Sequence, residues 1–197
     1  MPQITVSCGI GRSFEEAVYA VKGAKRHKGK GLRFNTEIYR GKRLRSKIPE
    51  GFKKRVVNYF RLKKILNKKQ QKLLEDFSLR DPITGMLNKT GFVMRLEELK
   101  RKKGLSGYYI LFDLDDLHYW NKRLGYSKVD KQIKRIGKII FNSIRHNHAK
   151  GRDDIVGHRL NESAGDEFLI FVPFKHSKKN LQHTVNIANR IISKINV

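Results

Sequence analysis

The stretch "GYYILFDLDDLHYWNKRLGYSKVD", residues 107–130, changes character at one position. Tyr108 to Phe112 form an unbroken apolar run, the pattern of a strand covered on both faces, and Asp113 ends it with acid. A strand of this kind delivers carboxylates, here Asp113 and Asp115, at its end. A helix follows, "KVDKQIKRIGKIIFNSIRHNH", with Ile133, Ile136, Ile140 and Ile144 spaced along one face. Then "AGDEFLIFVPF", residues 164–174, repeats the theme as a hairpin-like turn carrying Asp166 and Glu167 into a second buried strand. The chain closes on an amphipathic helix, "LQHTVNIANRIISKINV". Helices alternating with strands and a few antiparallel turns predict an α/β or α+β sandwich, a central mostly antiparallel sheet flanked by helices.

If the two acidic strand ends lie side by side, the pocket holds three or four carboxylates, whose repulsion is costly unless divalent cations neutralise it. Hard oxygen ligands favour Mg²⁺, which takes its remaining ligands from water and substrate phosphates. The chemistry that follows is nucleotidyl transfer, with a metal lowering the pKa of an attacking hydroxyl and holding a triphosphate. Turn acids solvated at a sheet edge are the plainer alternative.

Three motifs carry a resemblance. "AGDEF", Ala164 to Phe168, resembles the GGDEF motif of diguanylate cyclases, and "DPITGMLNKTGF", residues 81–92, resembles that family's opening D-x-L-T-G-L-x-N-R. "FDLDDLHYWNKRLGYSKVD" resembles its D-x-D-x-F-K-x-I-N-D-x-x-G-H-x-x-G-D block with matching internal spacing. The resemblance implies Mg²⁺ on Asp113, Asp166 and the carbonyl of Leu114. It implies that Glu167 binds or orients a second ion or activates the 3′-hydroxyl, so Asp113, Asp166 and Glu167 are the catalytic candidates. Asn121 and Asp130 fall where the family hydrogen-bonds the guanine edge; an Asn and an Asp together satisfy the amide face of guanine, and adenine would leave the Asp acceptor facing the wrong groups. Gly165 is expected to let the hairpin backbone approach the nucleotide. His118 stands where a phosphate-facing Lys is usual, Ala164 replaces the first Gly of the motif, and Val129 replaces a Gly. The approach from Asp154 to the hairpin is longer than usual, and the inhibitory R-x-x-D motif is missing, since Gly151 lies three residues before Asp154.

The family's last strand resembles V-T-V-S-I-G-I-A and its last helix ends A-K-x-x-G-K-N. Here those patterns stand at the start, as "ITVSCGIG", residues 4–11, and "AKRHKGKG", residues 24–31. The order therefore resembles a circular permutation. Ser13 and Glu16 have capping-box spacing for the intervening helix, and Lys25 and Lys30 are the candidate triphosphate contacts. On this reading residues 1–40 and 81–197 form one domain, and 41–80 are a basic linker with a long amphipathic helix over Phe52–Ser78. GGDEF domains also resemble polymerase palms.

The chain has 197 residues, 44 Lys+Arg against 18 Asp+Glu and a formal net charge of +26, which points to polyanionic partners. In segment 41–72 basic residues interleave with Phe52, Tyr59 and Phe60, a pattern of nucleic-acid surfaces, although a solvated helix face explains it equally. "HNH" at 146–148 reads as helix-end surface, and Trp120 as packing. The single Cys8 rules out an internal disulfide and reads as a buried small residue. With no signal-peptide pattern and no membrane-length apolar run, a cytoplasmic protein is expected. The resemblance implies condensation of two GTP into cyclic di-GMP by a homodimer. The alternatives are a palm-type primase, polymerase or oligonucleotide cyclase acting with nucleic acid, and a non-catalytic nucleic-acid-binding protein.

Overall fold

The apolar run that ends at Asp113 is the central strand, β3 (Tyr108–Leu114), of a five-stranded sheet. This computed structural model describes residues 6–26, 35–39, 50–103, 106–145, 154–159 and 165–195. On one side of β3 lie β1 (Val6–Gly11) and then β2 (Asn35–Ile38); on the other lie β5 (Glu167–Val172) and then β4 (Ile155–His158). All neighbours are antiparallel except β1 and β2, which are parallel and joined through α1 (Phe14–Arg26). The mixed α/β architecture with a mostly antiparallel sheet is thus as expected, but β2 and β4 were not legible. Each has four residues, too few for a two-residue period to declare itself.

Both faces of the sheet are covered, which is why β3 does not alternate. Ile110, Phe112 and Leu114 face a core shared with Ile133, Ile136 and Ile140 of α6 (Tyr126–Ser143) and Ile187 and Ile191 of α7 (Lys178–Ile195). Tyr109 and Leu111 face the second core, with Ala17 and Val21 of α1 and Phe92 of α4 (Lys89–Lys103). Cys8 is buried in the first core. Trp120 packs against the same core, as its packing reading requires.

Helix α1 lies so close to β1 that a Cβ on Gly9 would sit 2.3 Å from the carbonyl oxygen of Ala17 and 2.4 Å from the amide nitrogen of Val21. Its N-terminus realises half of the expected capping box. The Glu16 amide donates to Ser13 Oγ at 3.2 Å, but the Glu16 carboxylate turns to the backbone N–H of Arg12, 2.8 Å away, and to its guanidinium.

The single helix expected over Phe52–Ser78 is two helices, α2 (Glu50–Ile65) and α3 (Lys68–Leu79). Asn67 breaks it by capping α3: its side chain accepts from Gln70 N–H while the Gln70 side chain accepts from Asn67 N–H. The two helices are tied by Tyr59 and Lys63, which both donate to Glu75 Oε1, and by Gln71, which donates to the carbonyls of Lys63 and Leu66. The apolar positions of the expected amphipathic stripe are not a core face. Val57, Leu62, Ile65, Leu73 and Phe77 are exposed, and Tyr59 is the buried residue of α2 among those described.

Candidate nucleotide-binding site

The β3–β5 ladder sets Asp113 directly opposite Glu167, and the β1–β3 ladder sets Ser7 opposite Asp113. With a side-chain period of two, all three lie on the α1 face of the sheet. The Leu114 amide donates to the carbonyl of Asp166 at 3.0 Å, which fixes the backbone of the motif against the end of β3. Asp115 is buried and accepts from Ser7 Oγ at 3.0 Å. From the last turn of α1, Lys25 brings its Nζ to 2.6 Å from Asp113 Oδ1.

The electrostatics follow from this crowding. Burial pushes the Asp113 carboxyl above the usual carboxylate range, Lys25 pulls it down, and the charges of Asp166 and Asp115 push it up again, leaving it raised. Burial works against the Lys25 ammonium, but its hydrogen bond to Asp113 and the charges of Asp113, Asp166 and Asp115 outweigh that and raise its pKa. Asp113 is thus a buried carboxylate held among like charges with one ammonium to neutralise it, the electrostatic setting that attracts a further cation.

Among the described residues, no three His, Cys, Asp or Glu side chains are gathered into a ready-made metal shell. The donor set fits Mg²⁺ rather than a metal that needs an all-protein cage. Asp113 and Asp166 are close enough to perturb one another, and Mg²⁺ binds through one or two carboxylates with water and substrate phosphate completing its octahedron. The hard oxygens of Asp113 and Asp166, with the Leu114 carbonyl, are the candidate ligands, and Glu167 stands beside them on the ladder.

Asn121 and Asp130 reside on consecutive helices, α5 (Leu117–Leu124) and α6, and both are half-buried. The joint between them is Gly125, at φ 81°, a left-handed conformation that a side chain would oppose. His118 is exposed on α5, and Val129 is buried against the core. Lys30, Ala164 and the 146–148 "HNH" lie outside the described residues. Gly165 is half-buried, and a Cβ there would meet nothing nearer than Leu117 Cδ2 at 3.8 Å and the Arg159 guanidinium at 3.9 Å. A Cβ there would thus make ordinary van der Waals contact, and among the described residues the packing places the Arg159 guanidinium beside Gly165 without itself requiring a glycine.

Arg159 and the Asp81–His158 pair are absent from the sequence reading. Arg159 adopts φ 55°, donates its N–H to the Glu167 carbonyl at 3.0 Å and turns its side chain toward Gly165. Asp81 opens "DPITGMLN" and accepts from the amides of Ile83 and Thr84 and the Thr84 hydroxyl, while His158 Nδ1 lies 3.0 Å from the same oxygen. Burial would raise the Asp81 carboxyl, but His158 and the Thr84 donors bring it down to about 2. The motif thus acts as a buckle. It fastens the turn before α4 to β4, where the His158 amide also donates to the Leu87 carbonyl at 2.9 Å. Asn88 continues it, accepting from Gly91 N–H at the start of α4 and donating to the Ser78 carbonyl.

No helix of the described residues is long and apolar enough to cross a membrane. No curated protein matches the chain. Among solved structures, the diguanylate cyclase SiaD from Pseudomonas aeruginosa, in complex with its activator SiaC, is 22% identical over 72% of this chain and 53% of that one, with a TM-score of 0.47. The GGDEF domain of DgcB from Caulobacter crescentus, in complex with c-di-GMP, is 18% identical over 55% of this chain and 60% of that one, with a TM-score of 0.43. The S helix-GGDEF-EAL portion of Vibrio cholerae LapD, bound to c-di-GMP, is 19% identical over 65% of this chain and 29% of that one, with a TM-score of 0.53. The last of these carries the likeness of fold. This chain spans about half the length of the SiaD chain it matches. The family profile described as diguanylate cyclase, GGDEF domain, matches residues 78–197. With the motif strands paired at Asp113 and Glu167 and the profile covering more than half of the sequence, the chain belongs to the GGDEF family.

Proposed function

We propose that this chain is a nucleotidyl cyclase that condenses two GTP molecules into cyclic di-GMP with release of two pyrophosphates. The observation that carries the reading is the convergence of Asp113, Glu167 and the Lys25 ammonium at one end of the sheet. Each 3′-hydroxyl attacks the α-phosphate of the other GTP, so two loaded copies face one another and the working unit is a homodimer. When bound at Asp113 and Asp166, Mg²⁺ supplies Lewis-acid polarisation of the phosphates and lowers the pKa of the attacking hydroxyl.

The chain's own groups do the rest. Glu167 takes the proton of the 3′-hydroxyl as the new phosphodiester bond forms and the bond to pyrophosphate breaks. Lys25 exchanges its contact with Asp113 for the triphosphate, and Lys30 joins it. Asn121 and Asp130 hold the guanine edge, and Gly165 gives the phosphates room beside the motif backbone. His118, exposed on α5, faces the substrate from the rim.

We further propose that residues 1–40 and 81–197 are one domain in permuted order, joined by 41–80. The placement of β1 beside β3, with α1 and the parallel β2 after it, supports this, since the strand the family supplies last stands here first.

The test incubates purified protein with Mg²⁺ and each radiolabelled nucleoside triphosphate, with and without a primed template, and identifies the products. Cyclic di-GMP from GTP alone is the expected product. Template-dependent extension would replace this reading with the palm-polymerase one, and no product from any nucleotide would leave the protein non-catalytic.

A further inference from the structure

A groove of about 980 Å³ runs between the α2–α3 hairpin and the body of the domain, lined from the hairpin by Tyr59, Phe60 and Lys63 and from the body by Arg101, Lys138 and Phe141. It also reaches Ile155 and Val156 of β4. These pair with Phe171 and Ile170, four and three residues along β5 from Glu167, about 10–13 Å away at strand rise. The groove is therefore distinct from the carboxylate site.

Its chemistry is that of a polyanion track. Among the described residues, the three acids that line it are each matched, Glu75 by Lys63, Glu98 by Arg95 and Asp154 by Arg145. Arg101 and Lys138 are left as exposed cations. Lys138 ends an exposed basic row on α6, with Lys131, Lys134 and Arg135 at helical spacing. The segment that forms the other wall, residues 51–74, contains nine Lys or Arg and no Asp or Glu, and of these Lys63 lines the groove itself. Two aromatic rings stand half-exposed on the groove, Phe60 on the hairpin at 47% and Phe141 on the body at 48%.

The arrangement distinguishes between polyanions. A membrane-lying helix separates its cations from its apolar face. Around α2, at about 100° per residue, the exposed Val57, Phe60, Leu62 and Ile65 are interleaved with Lys54, Arg61 and Lys64 instead. Against this basic wall a second copy, itself carrying +26, would bring like charge and no phosphate, whereas the proposed homodimer meets through its GTP-loaded sites. Cations tracking a backbone, with aromatic faces between them, match single-stranded nucleic acid, whose phosphates and bases need both.

We infer that the groove between the α2–α3 hairpin and α4 and α6 binds single-stranded nucleic acid, with Phe60 and Phe141 stacking on bases and Arg101 and Lys138 on phosphates. This goes beyond the cyclase reading and does not rest on it.

The test is fluorescence anisotropy of the full chain with a fluorescein-labelled mixed-sequence 20-mer, as DNA and as RNA, over a salt series. Expected is binding at low salt, with log K falling linearly as log salt rises. Phe60→Ala combined with Phe141→Ala weakens binding at least about tenfold, with the salt slope unchanged. Phe60→Tyr, which keeps the ring, retains wild-type affinity. Arg101→Gln combined with Lys138→Gln lowers the slope by about 1.4, two phosphate contacts at roughly 0.7 each. The DNA and RNA arms identify the preferred sugar. Asp113→Asn binds the oligonucleotide as wild type does, so loss of cyclase activity and loss of binding are separable. Unchanged affinity in the double phenylalanine variant would overturn the inference. So would absence of binding at low salt, or phosphatidylserine vesicles displacing the oligonucleotide.

Discussion

Lys25 Nζ lies 2.6 Å from Asp113 Oδ1, so the last turn of the first helix supplies the counter-charge for the acid at the end of the central strand. The two residues are 88 positions apart in the chain, and β1 unites them by pairing with β3 while carrying α1 across it.

Replacing Lys25 by Met removes that counter-charge and leaves Asp113 to face Asp115 and Asp166 alone. Because the Asp113 carboxyl is already raised, its ionisation opposes folding increasingly as pH climbs from the unfolded value of 3.8 to the raised folded one, and the cost is complete above that. The loss of stability in K25M should therefore be smallest at low pH and grow as pH rises through the Asp113 range, to about 1–3 kcal/mol at neutrality. The lysine's partial exposure limits the effect. Thermal melts of metal-free protein over a pH series measure this; a deficit independent of pH would place the role of Lys25 elsewhere.

Asp113→Asn should separate stability from activity. Removing a charge that is unfavourable in the folded state makes metal-free D113N at least as stable as wild type at pH 7. Cyclic di-GMP formation should fall by about 10²-fold or more with the loss of charge stabilisation. Glu167→Gln should show a similar loss of turnover. Paired calorimetry and product chromatography read both quantities, and turnover at the wild-type rate in either variant would remove that residue from the site.

The Asp81 buckle predicts a different pH signature. With the carboxyl lowered to about 2, ionised Asp81 stabilises the fold by about 2 kcal/mol. That contribution is complete above the unfolded pKa near 4 and disappears as pH falls through about 2. Asp81→Asn should thus lose about 2 kcal/mol in urea unfolding at pH 7 and converge on wild type in strong acid. An equal deficit at both extremes would assign the effect to shape rather than charge.

Gly9→Ala should damage the fold and the site together. Its Cβ would meet the α1 backbone at 2.3 Å, and backbone cannot yield as a flexible side-chain tip can. Undocking α1 should cost about 3 kcal/mol or more, and it displaces Lys25 from Asp113. The measurement is chemical denaturation alongside GTP binding; a variant as stable as wild type would mean that α1 has room to shift.

The reading of β3 and β5 from sequence succeeded because each strand is covered on both faces and carries acid at one end, the last residues of β3 and the first of β5, a contrast visible without knowing the partner. Ser13 as a helix cap was equally local. The basic segment was misjudged because apolar spacing reports what a helix could bury, not whether a surface exists to bury it. The break at Asn67, which sends α3 back along α2, left Val57, Ile65 and Phe77 facing solvent.

By itself, the sequence determined the two acidic strand ends, the mostly antiparallel sheet and the order of its main helices, since these follow from short-range periodicity and abrupt changes of polarity. Only the tertiary structure decided that Glu167 sits opposite Asp113, that Lys25 reaches Asp113, that His158 fastens Asp81, and that the hairpin leaves a basic groove. Strand register and helix docking are set by packing between segments far apart in the chain, and no local pattern encodes which carboxylate meets which cation.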